Sequence, residues 1–321
     1  MKTPMYGPVT SGPNELKDLV RAKYAEIALQ DKATNASSCC GAGPRTWYGP
    51  EISGPNSIFS DDYTQLEGYN PDADLSLGCG LPTEFAQIKP GDTVLDLGSG
   101  AGNDCFVARA ATGPDGRVIG VDFTPEMIAK AKENARKLDH QNVEFRQGDI
   151  EALPLSACMV DVVVSNCVLN LVPNKRQALN EVLRVLKPGG HFSISDVVLV
   201  GQLPPAIQGA AEMYAGCVSG ALQEEEYLSL IRDLGFLDIT VQKRKPIVVP
   251  DDILSNYLNA EELAAFKASG TGIFSITVFA KKSSEDCCGP KGEKQAIKDL
   301  TPANPEGIHA IPGCELGSGC C

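Results

Sequence analysis

The stretch Val94-Leu95-Asp96-Leu97-Gly98-Ser99-Gly100-Ala101-Gly102-Asn103-Asp104 constrains this chain more than any other. Val94 to Leu97 read as a short buried strand. Three glycines at alternate positions follow, and then a helix begins. Glycine there tolerates positive φ and lets the backbone come close to a ligand. Such a turn delivers that ligand to a helix N-terminus, at the carboxyl end of a central strand. Asp96, two residues before the first glycine, and Asp104, two after the last, set the pattern apart from a plain tight turn. The spacing also bears on the ligand. A dinucleotide site prefers G-x-G-x-x-G, with its third glycine one position later than Gly102. Two flanking carboxylates suit a cationic ligand with an amino group better than a diphosphate. The expected cofactor is S-adenosyl-L-methionine rather than NAD.

Around this turn the chain alternates strand and helix. Strands are expected over 93–97, 117–121, 143–147, 160–165 and 191–195. Helices are expected from about 103 to 111, after Thr124 as cap with Pro125 in first position, and from about 175 to 186, stopping at Lys187-Pro188-Gly189-Gly190. Alternation on this scale implies a doubly wound, mostly parallel sheet with helices on both faces. A helix near 224–234, a strand near 239–244, a helical piece over 251–267 and a strand over 273–280 add a small C-terminal α+β extension and bring the strands to seven. Before the core, 14–30 has helical spacing of apolar residues, with Asn14 as cap. A long polar stretch runs to about 70 and reads as a lid or a disordered segment. Four segments result: 1–70 with the N-terminal helix, 71–235 as the cofactor-binding domain, 236–282 as the extension, and a tail, 283–321, expected to be disordered.

The net charge of −13 and the lack of any Lys/Arg run argue against nucleic acid or an anionic membrane as partner. No apolar stretch reaches the ~18 residues of a membrane span, and the N-terminus lacks an apolar signal core. A cytoplasmic monomer is expected. Twelve cysteines are many for such a chain. In a reducing compartment they point to metal binding or catalysis rather than to a disulfide framework. Six form adjacent pairs, Cys39-Cys40, Cys287-Cys288 and Cys320-Cys321; with no C-x-x-C and only three histidines, a conventional zinc site has little support.

Further cofactor residues fall at strand ends. Asp122, followed by Phe123, closes strand two about twenty residues beyond the glycine turn, where an acid can accept from both ribose hydroxyls. The competing role, capping the next helix, is expected to fall to Thr124. Asp149 and Ile150 follow strand three, and a carboxylate beside an aliphatic side chain suits an adenine amino group and ring face. Asn166 follows strand four and borders the same crevice.

Cys79, Cys167 and Cys217 come from three distant segments. Singly, each is a small buried hydrophobe. Three around one crevice suit a soft, thiophilic centre. The residues themselves leave open methyl transfer to oxygen, nitrogen or carbon of another small molecule, and a non-enzymatic thiol-rich metal binder. The motifs Leu77-Gly78-Cys79-Gly80, DLGSGAGND, VIGVDFTPEM, VVVSNCVLNLVP, VLKPGG and AGCVSGAL, within 39–281, resemble those of the arsenite methyltransferases. That resemblance implies the Rossmann-like fold of class I methyltransferases and methyl transfer from S-adenosylmethionine to trivalent arsenic, in arsenic detoxification. It implies that Cys79, Cys167 and Cys217 hold arsenic, and that a fourth N-terminal thiol falls on Cys39 or Cys40. It further implies arsenite and methylated arsenicals as substrates, a disulfide that returns arsenic to the trivalent state, and an external thiol reductant of thioredoxin or glutathione type. Family members often carry Tyr before the GCG; this chain has Leu77.

Overall fold

The computed structural model describes residues 13–30, 61–202, 204, 220–247, 251–255, 257–269 and 271–286. Strands β1 (Thr93–Leu97), β2 (Arg117–Asp122) and β4 (Val160–Asn166) are near-continuous apolar runs, as strands buried on both faces must be. Each alternates its side chains between two cores. Leu95, Leu97, Ile119, Val121 and Val163 enter one core. Val94, Val118, Val162 and Val164 enter the other.

With β3 (Val143–Gln147), β5 (Leu186–Val200), β6 (Leu237–Ile247) and β7 (Gly272–Lys281) they form a seven-stranded sheet in the order β3-β2-β1-β4-β5-β7-β6. The pairings from β3 to β5 are parallel. β7 runs antiparallel between β5 and β6, so both strands of the expected extension belong to the main sheet. Helices α5 (Lys175–Val185) and α6 (Glu224–Asp233) fill the first core. α1 (Pro13–Ala28), α3 (Asn103–Thr112) and α4 (Pro125–Lys137) fill the second, while α2 (Pro82–Phe85) precedes β1. No described helix is long and apolar enough to cross a membrane.

Several local expectations are corrected. α1 begins at Pro13, so Asn14 lies inside the helix rather than capping it. Thr124 stands at the cap of α4 but its side chain makes no cap bond; Asp122 Oδ1 takes the Thr124 N–H at 2.8 Å instead. The strand expected over 191–195 runs from Leu186 to Val200. Lys187 to Gly190 break the register between Val160↔Leu186 and Val162↔His191, with Gly189 at φ +76, so this segment is a bulge in β5. The helical piece near 251–267 is two helices, α7 (Asp251–Leu254) and α8 (Ala260–Ala268). Asn259 starts the second through a capping box with Glu262. At the far end of β7, the buried Lys282 ammonium donates to the carbonyls of Leu183 (2.9 Å) and Leu186 (2.7 Å), closing the C-terminus of α5.

Candidate active site

The glycine turn folds as its sequence demands. Gly98 and Ser99 both donate to Val121 O, at 2.7 and 3.0 Å, which ties the turn to the end of β2. Gly102 occupies the left-handed N-cap of α3 at φ +99, and a Cβ there would lie 2.8 Å from the Phe145 ring. Gly100, at φ +50, would bring a Cβ no closer than 4.0 Å to Met127 Sδ, and it donates its N–H to Asp122 Oδ2 at 3.0 Å. Steric packing and conformation therefore both favour glycine at 102, whereas at 100 the backbone conformation alone does.

A cavity opens above the turn. Asp96, Gly98, Gly100, Asp104, Asp122, Phe123, Asp149, Ile150, Asn166 and Cys167 all line it. Gly102 does not, and serves the packing just described. Asp74 joins Asp96, Asp104, Asp122 and Asp149 to make the wall strongly acidic. Among the described lining residues the basic side chain is Lys17, which donates to Asp149 Oδ2 at 2.7 Å and pairs with Glu151. Asp104 and Asp122 repel Asp96, and Asp74 repels Asp104.

Burial pushes the Asp96 carboxyl well above its ordinary range; the Asp104 charge adds to the rise and the Cys105 thiol, donating at 3.2 Å, opposes it. Burial raises Asp104 to about 6, against hydrogen bonds from Tyr63 and Asn166. Asp122 is also raised by burial, with the Thr124 and Gly100 N–H groups opposing. Three raised acids around one cavity are relieved by a cation.

The thiol side adjoins this cavity. Cys79 (0% exposed) and Cys167 (4%) share an apolar cluster with Val20, Leu171, Val197 and Leu199. Cys167 holds φ +61, unusual for a residue with a side chain, and donates its N–H to Ser195 O at 2.8 Å. The Cys79 carbonyl accepts from Ser275 Oγ of β7 at 2.6 Å. Near both thiols lies a buried pair in which the Tyr227 hydroxyl donates to Asp196 Oδ2 at 3.4 Å. Burial raises Asp196 to about 7, with the Lys175 charge opposing. Cys39, Cys40, Cys217 and the tail cysteines lie outside the described residues.

Residues 88–235 match the family described as "Methyltransferase domain". An arsenite methyltransferase of Halobacterium salinarum is 40% identical over 286 residues, covering 85% of this chain and 68% of that protein. One from Aquipseudomonas alcaligenes is 34% identical over 251 residues, covering 76% and 68%. The chain belongs to the arsenite methyltransferase family. The X-ray structure of an arsenic(III) S-adenosylmethionine methyltransferase from Chlamydomonas reinhardtii superposes on it with a TM-score of 0.56 at 34% identity, over 65% of this chain and 68% of that one. Like other arsenite methyltransferases, this is an S-adenosylmethionine-dependent enzyme, and its cavity fits that cofactor. The raised carboxyls offer a place for a cationic amino-acid end. Ile150, Phe123 and Leu171 offer an apolar wall for a ring.

Tyr63 and Lys17 are among the lining residues that escape the sequence reading. Tyr63 sits in what reads as a featureless polar stretch, yet it is buried, and its hydroxyl donates to Asp104, both of whose oxygens lie 2.9 Å away. An aromatic side chain amid polar residues was the available signal. Lys17 occupies the cavity side of α1 beside Val20 and Tyr24; nothing in its spacing distinguishes it from a solvated lysine.

Proposed function

We propose that this enzyme methylates trivalent arsenic, held as thiolate complexes by Cys79, Cys167 and Cys217, and so takes arsenite to methylated arsenicals. The observation that carries the reading is the shared apolar cluster of Cys79 and Cys167, with Cys167 also lining the acidic cofactor cavity. When bound, S-adenosylmethionine supplies an electrophilic methyl carbon on a sulfonium. Asp96 and Asp104 would receive its amino-acid end, Asp122 the ribose hydroxyls, and Asp149 with Ile150 the adenine. Arsenic bound by thiolates keeps a lone pair, which would form the new bond to that carbon while the carbon–sulfur electron pair stayed on sulfur. Fixing both reactants in line lowers the barrier. No strong general base is required, which accords with a chain of three histidines.

Arsenic leaves this step formally pentavalent. Two thiolates restore the trivalent state by giving it two electrons as they join in a disulfide, Cys39 or Cys40 with Cys79. An external thiol of thioredoxin or glutathione type reopens that bond. A cytoplasmic setting, where thiols stay reduced, suits this cycle and a role in arsenic detoxification.

The test supplies arsenite and monomethylarsenite separately, with S-adenosylmethionine and a thiol, to Cys79→Ser, Cys167→Ser, Cys217→Ser and the double Cys39→Ser/Cys40→Ser protein. The 167 and 217 variants should fail on both substrates. The 79 and 39/40 variants should fail on arsenite and keep turnover on monomethylarsenite. Wild-type rates from Cys167→Ser would place the arsenic site elsewhere.

A further inference from the structure

Asn166 ends β4 and lines the cavity, yet its side-chain amide is engaged by the Gly78–Gly80 segment and by Tyr63. Its Oδ1 accepts from Cys79 N at 2.9 Å and from Gly80 N at 3.3 Å. Its Nδ2 donates to Gly80 O at 2.8 Å and to the Tyr63 hydroxyl at 2.5 Å, with Asp104 Oδ2 at 3.4 Å. A carboxamide has two hydrogens to donate and two lone pairs to accept with. All four are taken up here by the protein, so little capacity is left for a ligand. The loop side is built to the same fit. A Cβ on Gly78 would lie 2.5 Å from Asn166 Nδ2, and one on Gly80 would lie 2.5 Å from Ser195 Oγ.

We infer that Asn166 is a positioning residue: it fixes the backbone of Cys79 against the end of β4, and so sets where the Cys79 thiol stands relative to Cys167 and the cofactor cavity. Cys167 follows Asn166 directly and is itself pinned to Ser195 O. One side chain therefore governs the offset between two thiols that are 88 positions apart in the chain. Its direct contact with the acidic wall, Asp104 Oδ2 at 3.4 Å, is the longest of its set, and Tyr63 keeps its own bond to Asp104 without it. The arsenic role of Cys79 in this inference rests on the function proposed above; the fixing of its backbone does not.

Two measurements on Asn166→Ala test it. Hydrogen exchange at the Cys79 and Gly80 amides should speed by about tenfold or more, as the loss of a buried acceptor dictates, while the amides of 94–97 stay protected. In steady-state methylation the KM for arsenite should rise by about tenfold, with the KM for S-adenosylmethionine changed by less than about twofold. Gly78→Ala presses on the same amide from the opposite side and should give the same split, which keeps the test open should Asn166→Ala fold poorly. Unchanged exchange at Cys79 and Gly80, or a KM for S-adenosylmethionine that rises as much as that for arsenite, would overturn the inference. Wild-type arsenite turnover by Cys79→Ser instead removes Cys79 from the arsenic site, and the exchange result still decides whether Asn166 holds the segment.

Discussion

Asp104→Asn should make the ligand-free protein more stable at alkaline pH and a poorer cofactor binder. The Asp104 carboxyl moves from an ordinary 3.8 to about 6 in the fold, chiefly through burial. Below 3.8 it is protonated whether the chain is folded or not, and the fold loses nothing. Between 3.8 and about 6 the unfolded chain gives up the proton while the folded one keeps it, so each rise in pH favours unfolding. Above that window the full penalty applies, roughly 3 kcal/mol. Asparagine removes it, but the Tyr63 hydroxyl then donates to a neutral acceptor and Asn166 meets a second amide. Those losses offset about 1–2 kcal/mol. The variant should therefore gain about 1–2 kcal/mol near pH 8 and gain nothing near pH 4.5, where the penalty has fallen to about 1 kcal/mol. Urea denaturation of the ligand-free proteins at the two pH values measures this, and calorimetry with S-adenosylmethionine measures the loss of binding. A variant destabilised equally at both pH values would show that the Asp104 carboxylate is comfortable in its cavity, and the argument from its burial would fail.

Asp122→Asn should weaken S-adenosylmethionine binding by about 1–3 kcal/mol, read by calorimetry, because a charged acceptor becomes neutral. Asp122→Ala should also lower the melting temperature, since the Gly100 and Thr124 amides lose their acceptor. Lys17→Met frees Asp149 and Glu151 and loosens α1 over the cavity; with pairs that are partly buried the effect should be about 1 kcal/mol, seen as faster cofactor release in stopped flow. Lys282→Met should cost about 1–3 kcal/mol in urea denaturation, because the Leu183 and Leu186 carbonyls at the end of α5 lose their buried donor.

The acidic cavity was legible in the sequence because its logic is local. Asp96, the glycine turn and Asp104 lie within one strand–turn–helix unit, and Asp122 and Asp149 fall at the ends of strands that periodicity alone reveals. The thiol half depends on segments far apart in sequence, so spacing could nominate Cys79 and Cys167 but could not show that one cluster buries both. Tyr63 and Lys17 went unseen for the same reason: each meets its partner across a separation of 41 residues or more. Asn166 lines the cavity as its place at the end of β4 suggests, but that place says nothing of the four bonds that occupy its amide. Thr124 shows a subtler limit. It has the residue type and place of a cap, but an acid two residues earlier reaches its amide first.

The hydrogen bond from Ser275 to the Cys79 carbonyl spans 196 positions, and Thr277 on the same strand bonds Ser195 at 2.8 Å. During synthesis, β1 to β4 can leave the ribosome and pair well before β7 exists. A nascent chain can thus hold a finished glycine turn while the floor under Cys79 is still missing. The cluster that buries Cys79 and Cys167 is completed only when β7, which supplies Ile273 to it, threads between β5 and β6. Until then Cys79 and Cys167 are two thiols on a growing chain, with no common cluster to bury them.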